Sequence, residues 1–313
     1  MPVVDCIRRT LALSYACLNC GADMTQARIP KLAVLALIAI ALLWGYSWTQ
    51  MKIGVQYSSP FVFAALRNVG SGLILLSAVM LQGQSPKPKQ VPQTFLLGLL
   101  QTAGFSGFAA WALVSGGAGK TAILVYTMPF WTLLLAWYIL GERIKGLQWI
   151  AIAIAFSGLL LILDPFRLQG TLFSGILAVL AGLSWAGGVV TAKKIDMAKV
   201  NLLSLTAWQV LFGAVPLIAI ALVVPAPPIQ WNASFIGALA YNVLPGNAIP
   251  MFLWMYVLSQ LPAGLSGLGM LMTPVVGVTF AALQLGEYPQ PHELIGMGCV
   301  VGALVLTTIA NRK

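Results

Sequence analysis

Residues 129–142 read PFWTLLLAWYILGE, and residues 274–287 read PVVGVTFAALQLGE. In each stretch a proline is followed 13 residues later by the glutamate of a Leu-Gly-Glu triplet: Pro129 with Leu140-Gly141-Glu142, and Pro274 with Leu285-Gly286-Glu287. An apolar run lies between, and another follows each glutamate. Upstream, Trp44 precedes Lys52 by eight residues, and Trp185 precedes Lys193 by eight. Two matches in the same order mark an internal repeat.

Apolar runs of about 20 residues suit an α-helix that crosses about 30 Å of hydrocarbon. They recur at 32–51, 60–81, 93–114, 119–140, 146–164, 171–192, 203–224, 233–257, 262–284 and 291–310, giving ten spans and five per repeat. Unbroken apolar runs exclude the alternating strands of a membrane barrel. In lipid the backbone must be satisfied within each segment, so the runs are read as helices. Connections are short, with Pro86 and Pro88 in one loop and Pro225, Pro227 and Pro228 in another, so no soluble domain fits between them. An odd number of spans per unit turns the second copy upside down. The sequence therefore predicts an all-α polytopic membrane protein of ten transmembrane helices, built as two inverted five-helix repeats over 31–164 and 165–313. Such repeats are a common transporter construction, with the substrate site near the midplane between the halves.

Composition agrees. Hydrophobic residues make up 59% and charged residues 8%, against about 25% charged in a soluble domain. A net charge of +10 would suggest nucleic acid in a soluble protein. Here the basic residues lie mainly in short loops, and no nucleic-acid partner is expected. With the N-terminus cytoplasmic, thirteen basic residues fall on that side: Arg8, Arg9, Arg28, Lys31, Lys87, Lys89, Arg143, Lys145, Lys193, Lys194, Lys199, Arg312 and Lys313. The other side has three: Lys52, Lys120 and Arg167. This asymmetry places both termini in the cytoplasm and the chain in the cell membrane as a multi-pass protein. The lipid bilayer and a small-molecule metabolite are the expected partners. The oligomeric state is left open, a monomer being compatible.

Residues 1–30 are read as an N-terminal extension, expected to be poorly ordered. Arg8-Arg9 followed by Leu11 to Leu18 imitates a signal peptide, but the apolar core is short and holds Ser14, Tyr15 and Cys17. Met24 stands just before the basic residues Arg28 and Lys31, so residues 1–23 are expected to be dispensable. Cys17-Leu18-Asn19-Cys20 has CxxC spacing without a second pair or a histidine to complete a metal site. No metal and no cofactor are expected.

Leu43-Trp44-Gly45 with Lys52 and Gly54 in the first span, Arg67 in the second, the two Pro…Leu-Gly-Glu segments and the span count resemble the EamA branch of the drug/metabolite transporter superfamily over about residues 30–310. The resemblance implies a transporter and not an enzyme. Members export amino acids, other metabolites or drugs, and some import. It also implies a central cavity among spans 1–4 and 6–9, with spans 5 and 10 packed outside. Trp185-Ala186 replaces Trp-Gly in the second copy, so the two halves are expected to contribute differently to the cavity.

Arg67 lies seven residues after Pro60, about 10 Å below the outer interface at 1.5 Å per residue. A charge there is costly and faces protein or water. It is a candidate anchor for a carboxylate or phosphate, which a guanidinium binds bidentately. A snorkelling or carbonyl-capping arginine is the alternative. Trp44, Ser47, Trp48 and Met51 share one helical stripe, either a cavity wall for aromatic or apolar substrates or a lipid-facing surface. Gln101, Tyr126, Gln209, Tyr241, Asn242 and Asn247 lie deep in other spans, where helix-to-helix hydrogen bonding competes with substrate contact. Asn247 sits between Pro245-Gly246 and Pro250, a run expected to break its helix. Pro129 and Pro274 are candidate hinges that remove a backbone hydrogen bond. Gly116, Gly117 and Gly119 and the stretch from Gly264 to Gly269 permit close packing near them.

Glu142 and Glu287 are read as structural, each near the N-terminus of the following helix. No carboxylate falls mid-membrane, which favours facilitated diffusion or exchange over a proton relay. A membrane enzyme lacks the necessary cluster, the chain having one histidine. A channel is the other alternative. An amino acid combines the acidic group that Arg67 suits with the apolar body that Trp and Met suit. Export or facilitated passage of amino acids or similar small amphipathic metabolites is the resulting expectation.

Overall fold

The computed structural model describes residues 31–141, 146–163, 171–196, 199–260 and 272–310. The extension 1–30, Glu142, Arg143, Lys145, Asp164, Arg167, the stretch from Gly264 to Gly269, Arg312 and Lys313 lie outside the described residues. Leu32–Lys313 form one compact unit.

In the first half of the chain, α1 spans Lys31–Tyr57, α2 Pro60–Leu81 and α3 Val91–Leu97, followed by a π-helical segment π1, Gly98–Gly104. Next come α4 Phe105–Ser115, α5 Ala118–Val125, α6 Met128–Leu140 and α7 Gly146–Leu163. In the second half, α8 is Thr171–Ala192, α9 Leu202–Val223 and α10 Ala233–Val243, followed by a second π segment π2, Leu244–Ala248. Finally come α11 Ile249–Gln260, α12 Met272–Leu285 and α13 Pro291–Ala310. No strand occurs among the described residues.

Among the described residues, seven helical stretches, from 21 to 26 residues long, are apolar enough to cross a membrane. The polarity of the surface is the reverse of a soluble protein's. Leu35, Leu73, Leu160, Leu222 and Ile295 are exposed, while Arg67, Asn68, Gln101, Gln209, Asn242 and Asn247 are buried. Apolar surface on this scale needs lipid around it. The chain is an all-helical polytopic membrane protein.

Local chemistry fixes the helix ends. Ser59 accepts from the Val62 N–H at 3.2 Å, with Pro60 opening α2. Asn201 and Asn232 cap α9 and α10 in the same way, at 2.9 and 2.8 Å. Gly141 and Gly286, each following the leucine of a Leu-Gly-Glu triplet, have φ of 68° and 67°. This left-handed conformation is inexpensive only for glycine. The two glycines are 145 residues apart (286 − 141). The same offset carries π2 back onto positions 99–103, inside π1.

Packing joins the halves throughout. α2 packs on α9, α5 on α12 and α7 on α13; π1 meets α9, and π2 meets α2. Bare backbones meet at two of these crossings. A Cβ on Gly98 would stand well under 3.0 Å from the Gln209 carbonyl oxygen and 2.9 Å from the Gly213 nitrogen; one on Gly213 would meet Gly98 in return. Gly158 and Gly296 face each other likewise, each 2.7 Å from the other's carbonyl oxygen on the same construction. Small residues at such points let membrane helices approach closely.

Three spans differ from the sequence expectation. In the eighth, the run around Asn247 does not break the helix, which passes from α10 through π2 into α11 without a gap. The first runs on to Tyr57 instead of ending at 51, because the Lys52 ammonium finds backbone carbonyls without ending the helix. The fourth is not one helix bent at Pro129. It breaks at Tyr126-Thr127, and Pro129 sits in the first turn of α6, where its missing N–H has no intrahelical partner to lose. Pro274 lies in α12, two residues after the described residues resume at Met272.

Candidate functional site

The break at Tyr126-Thr127, π1 and π2 border one cavity of about 40 Å³. That is room for about two or three waters, so this conformation is narrow. α1 supplies Trp44, Ser47, Trp48 and Met51, the whole stripe read from the sequence. α2 supplies Arg67 and Asn68. π1 and α4 supply Gln101, Thr102, Phe105 and Ser106, and the break supplies Val125, Tyr126 and Met128. Trp185, Val210, Asn247 and Met251 come from the second half.

The structure therefore gathers Trp44, Trp48, Arg67, Gln101, Tyr126 and Asn247 around one space. Gln209 is not on the wall. It is fully buried behind Gln101, whose Oε1 accepts from its Nε2 at 3.2 Å. Tyr241 is also off the wall; its hydroxyl donates to the Leu43 carbonyl at 3.0 Å, and its ring abuts Tyr46. Asn242 donates to the Ala238 carbonyl of its own helix at 3.0 Å. Trp185, Asn68, Phe105 and Met251 were not picked out from the sequence. Trp185 could have been, since its repeat partner Trp44 was. Asn68 could have been too, since with Arg67 and Ser71 it forms a polar cluster at helical spacing.

The wall combines aromatic and polar groups. Trp44 and Trp185 meet edge to face at 5.8 Å. Phe105 lies 4.8 Å from Trp185 and 6.4 Å from Trp48. Asn247 donates to Asn68 Oδ1 at 3.1 Å and to Ser71 Oγ at 3.0 Å, and Asn68 donates to the Ala64 carbonyl at 2.8 Å. Arg67 is 4% exposed. One Nη donates to Met51 Sδ at 2.8 Å, a weak acceptor without counter-charge. Its Nε has no partner, and no carboxylate among the described residues pairs with it. Among the described residues no carbonyl takes the guanidinium, which counts against the capping alternative.

A second polar cluster surrounds the Gly116-Gly117 connection. Lys52 Nζ donates to the carbonyls of Leu113 at 2.7 Å and Gly116 at 2.8 Å, closing the C-terminus of α4. Glu287 accepts from the Ala118 N–H at 2.5 Å, at the N-terminus of α5. Glu287 thus caps a helix of the first half, and not the following helix as expected. Glu293 serves α13, accepting from the Gln290 N–H at 2.9 Å, and pairs with Lys120 at 2.9 Å. No group of three or more His, Cys, Asp or Glu that could hold a metal occurs among the described residues.

These contacts give Glu287 a structural task. Glu287→Gln keeps an acceptor oxygen and should leave solute exchange in proteoliposomes intact. Glu287→Ala should lower stability by about 1–2 kcal/mol, the usual cost of a lost N-cap, seen as a lower thermal midpoint in detergent. Abolished exchange in a well-folded Glu287→Gln protein would point instead to a coupling acid.

A bundle of apolar helices, joined across two halves around a buried polar and aromatic cavity, defines a membrane transporter. The EamA-like transporter family matches the chain twice, over residues 31–164 and 172–309. The chain belongs to that family. Among its relatives are "Uncharacterized transporter YoaV" of Bacillus subtilis, 27% identical with 87% of this chain and 93% of that protein covered, and "Probable amino-acid metabolite efflux pump" of Escherichia coli, 27% identical with 90% and 96% covered. A crystal structure at 19% identity aligns over 90% of this chain and 97% of its own, with a TM-score of 0.66, a likeness of fold alone. These relatives are named for transport and not for catalysis, and the chain is a transporter rather than an enzyme.

The motif glycines have a packing reason. A Cβ on Gly45 would stand 2.5 Å from Val276 Cγ1, and one on Gly54 would enter the Phe63 ring.

Proposed function

We propose that the chain is a ten-span carrier of two inverted five-helix repeats, 31–164 and 165–313. It moves amino acids or similar small amphipathic metabolites across the cell membrane by alternating access. The offset of 145 residues shared by the left-handed glycines and the π segments supports the repeat, as do the helix pairs that join first half to second. The observation that carries the reading is the cavity itself, walled from both halves and holding a buried Arg67 with no counter-charge among the described residues. Trp44, Trp48, Arg67, Gln101, Tyr126 and Asn247 contact substrate; Gln209 and Tyr241 support them. The segments beside Pro129 and Pro274 are the points at which spans 4 and 9 bend between states. The relative named for amino-acid metabolite efflux favours export.

Reconstitution tests this. Uptake of a labelled amino-acid mixture into proteoliposomes should saturate and should accelerate when the lumen is preloaded with unlabelled solute. Large unsaturable currents would mean a channel, and no flux with any solute would mean neither.

Both termini face the cytoplasm in this reading. On a cysteine-free background, an impermeant maleimide applied to whole cells should label Tyr288→Cys and miss Lys87→Cys. Both positions are exposed. The opposite pattern would overturn the orientation.

A further inference from the structure

We infer that the cavity selects aromatic monocarboxylates that carry no ammonium group over zwitterionic amino acids of the same skeleton. This rests on the carrier reading above and turns its substrate class from amino acids toward the similar amphipathic metabolites that share their carboxylate.

Among the described lining residues one side chain carries a full charge, and it is positive; none of them is Asp or Glu. Arg67 presents a free Nε beside an Nη that only a thioether occupies. That edge of a guanidinium matches the two oxygens of a carboxylate. Gln101 adds to it. Its oxygen is taken by Gln209, which leaves its amide nitrogen as a further donor at the wall.

An ammonium finds the opposite. Asn68 has its Oδ1 occupied by Asn247, and the Asn247 amide nitrogen is itself a donor. Ser71 Oγ accepts from Asn247 as well. What the wall offers a cation is neutral: hydroxyl oxygens such as those of Thr102, Ser106 and Tyr126, and the faces of its indole rings, the latter an attraction of about 0.5–2 kcal/mol. Against that stand the loss of water around the ammonium and repulsion from Arg67 at low dielectric. A monoanion brings the site to neutrality; a zwitterion leaves it charged. The linked rings of Trp44, Trp185, Phe105 and Trp48 meet an aromatic guest in the same edge-to-face manner in which they meet one another. In the narrow conformation these rings must part to admit it.

Four probes of one skeleton test this: phenylpyruvate and phenyllactate, each a monoanion; phenylalanine, a zwitterion; and phenethylamine, a cation. Each is titrated as a thermal-shift ligand on detergent-purified protein and as an inhibitor of counter-flow in proteoliposomes. The expected order is both acids at least tenfold tighter than phenylalanine, with phenethylamine weakest. Arg67→Gln should erase the gap between acids and phenylalanine. The wild-type comparison stands alone if that variant does not fold. Phenylalanine binding as tightly as the acids, or a preference for acids that survives in folded Arg67→Gln, would overturn the inference. Saturable exchange of other solutes with no response to any of the four would overturn it too while leaving the carrier reading in place. No saturable exchange of any solute would remove the carrier reading itself.

Discussion

Gly98→Val is expected to eliminate folded protein. A single Cβ at position 98 already falls inside the contact distance of the Gln209 carbonyl oxygen and close to the Gly213 nitrogen. Both obstacles are backbone, so no rotamer change relieves them. The helices π1 and α9 would have to separate, and with them the Gln101–Gln209 hydrogen bond that joins the halves. Overpacking against flexible side chains costs about 1–3 kcal/mol. Against two fixed backbones the cost should reach about 4 kcal/mol or more, the range reserved for severe lesions. Size-exclusion chromatography should show aggregate in place of the monodisperse peak, and Gly213→Val should behave alike. Gly237→Ala is the control. It lies in α10 with nothing within 4 Å of the new Cβ, and helix propensity favours alanine by about 1 kcal/mol. Its melting point should hold or rise. A monodisperse, stable Gly98→Val protein would show that the crossing is looser than the distances indicate.

Arg67→Met should stabilise the protein and abolish its transport. The guanidinium is buried, its Nε is orphaned, and it faces no carboxylate among the described residues. Replacing uncompensated buried charge by an apolar side chain of similar length is worth about 1–4 kcal/mol. The thermal midpoint in detergent should rise accordingly. Exchange of carboxylate solutes should fall at least 100-fold. A function retained at the expense of stability is the pattern expected of a binding site. If the midpoint falls instead, Arg67 belongs to the scaffold. If exchange persists, the substrate does not use it.

The sequence carried the apolar runs, the repeat and the buried arginine because each is written in residue type at fixed spacing. The Leu-Gly-Glu triplets are visible as text, and their left-handed glycines follow from the chemistry of glycine. The stripe from Trp44 to Met51 was readable because α1 is regular over its length. The third span was harder. In it, Thr94, Leu97 and Gln101 are buried in α-helical phase, whereas Ser106, Ala109, Ala110 and Leu113 come one residue late. π1 inserts that residue, and no residue type announces it. π2 does the same in the eighth span, and Tyr241, just before it, stands off the cavity wall that Asn247 joins. Pro129 points past the break, which falls at Tyr126-Thr127. Proline marks where a helix begins as readily as where it bends. Glu287 was assigned to the helix next in sequence; its actual partner is 169 residues away, a contact that linear reading cannot supply.

Arg67 also answers to the membrane voltage. A cation fixed inside a span sits within the membrane field, where moving one elementary charge across 100 mV is worth about 2.3 kcal/mol. The polar layer of a carrier shifts relative to that field as access passes from one side to the other. With the site empty, an inside-negative potential pulls Arg67 toward the cytoplasmic potential, and each tenth of the field traversed is worth about 0.2 kcal/mol. With a carboxylate on the guanidinium, the pair is neutral and the pull vanishes. The potential would then act on the return of the empty protein and not on the passage of its cargo.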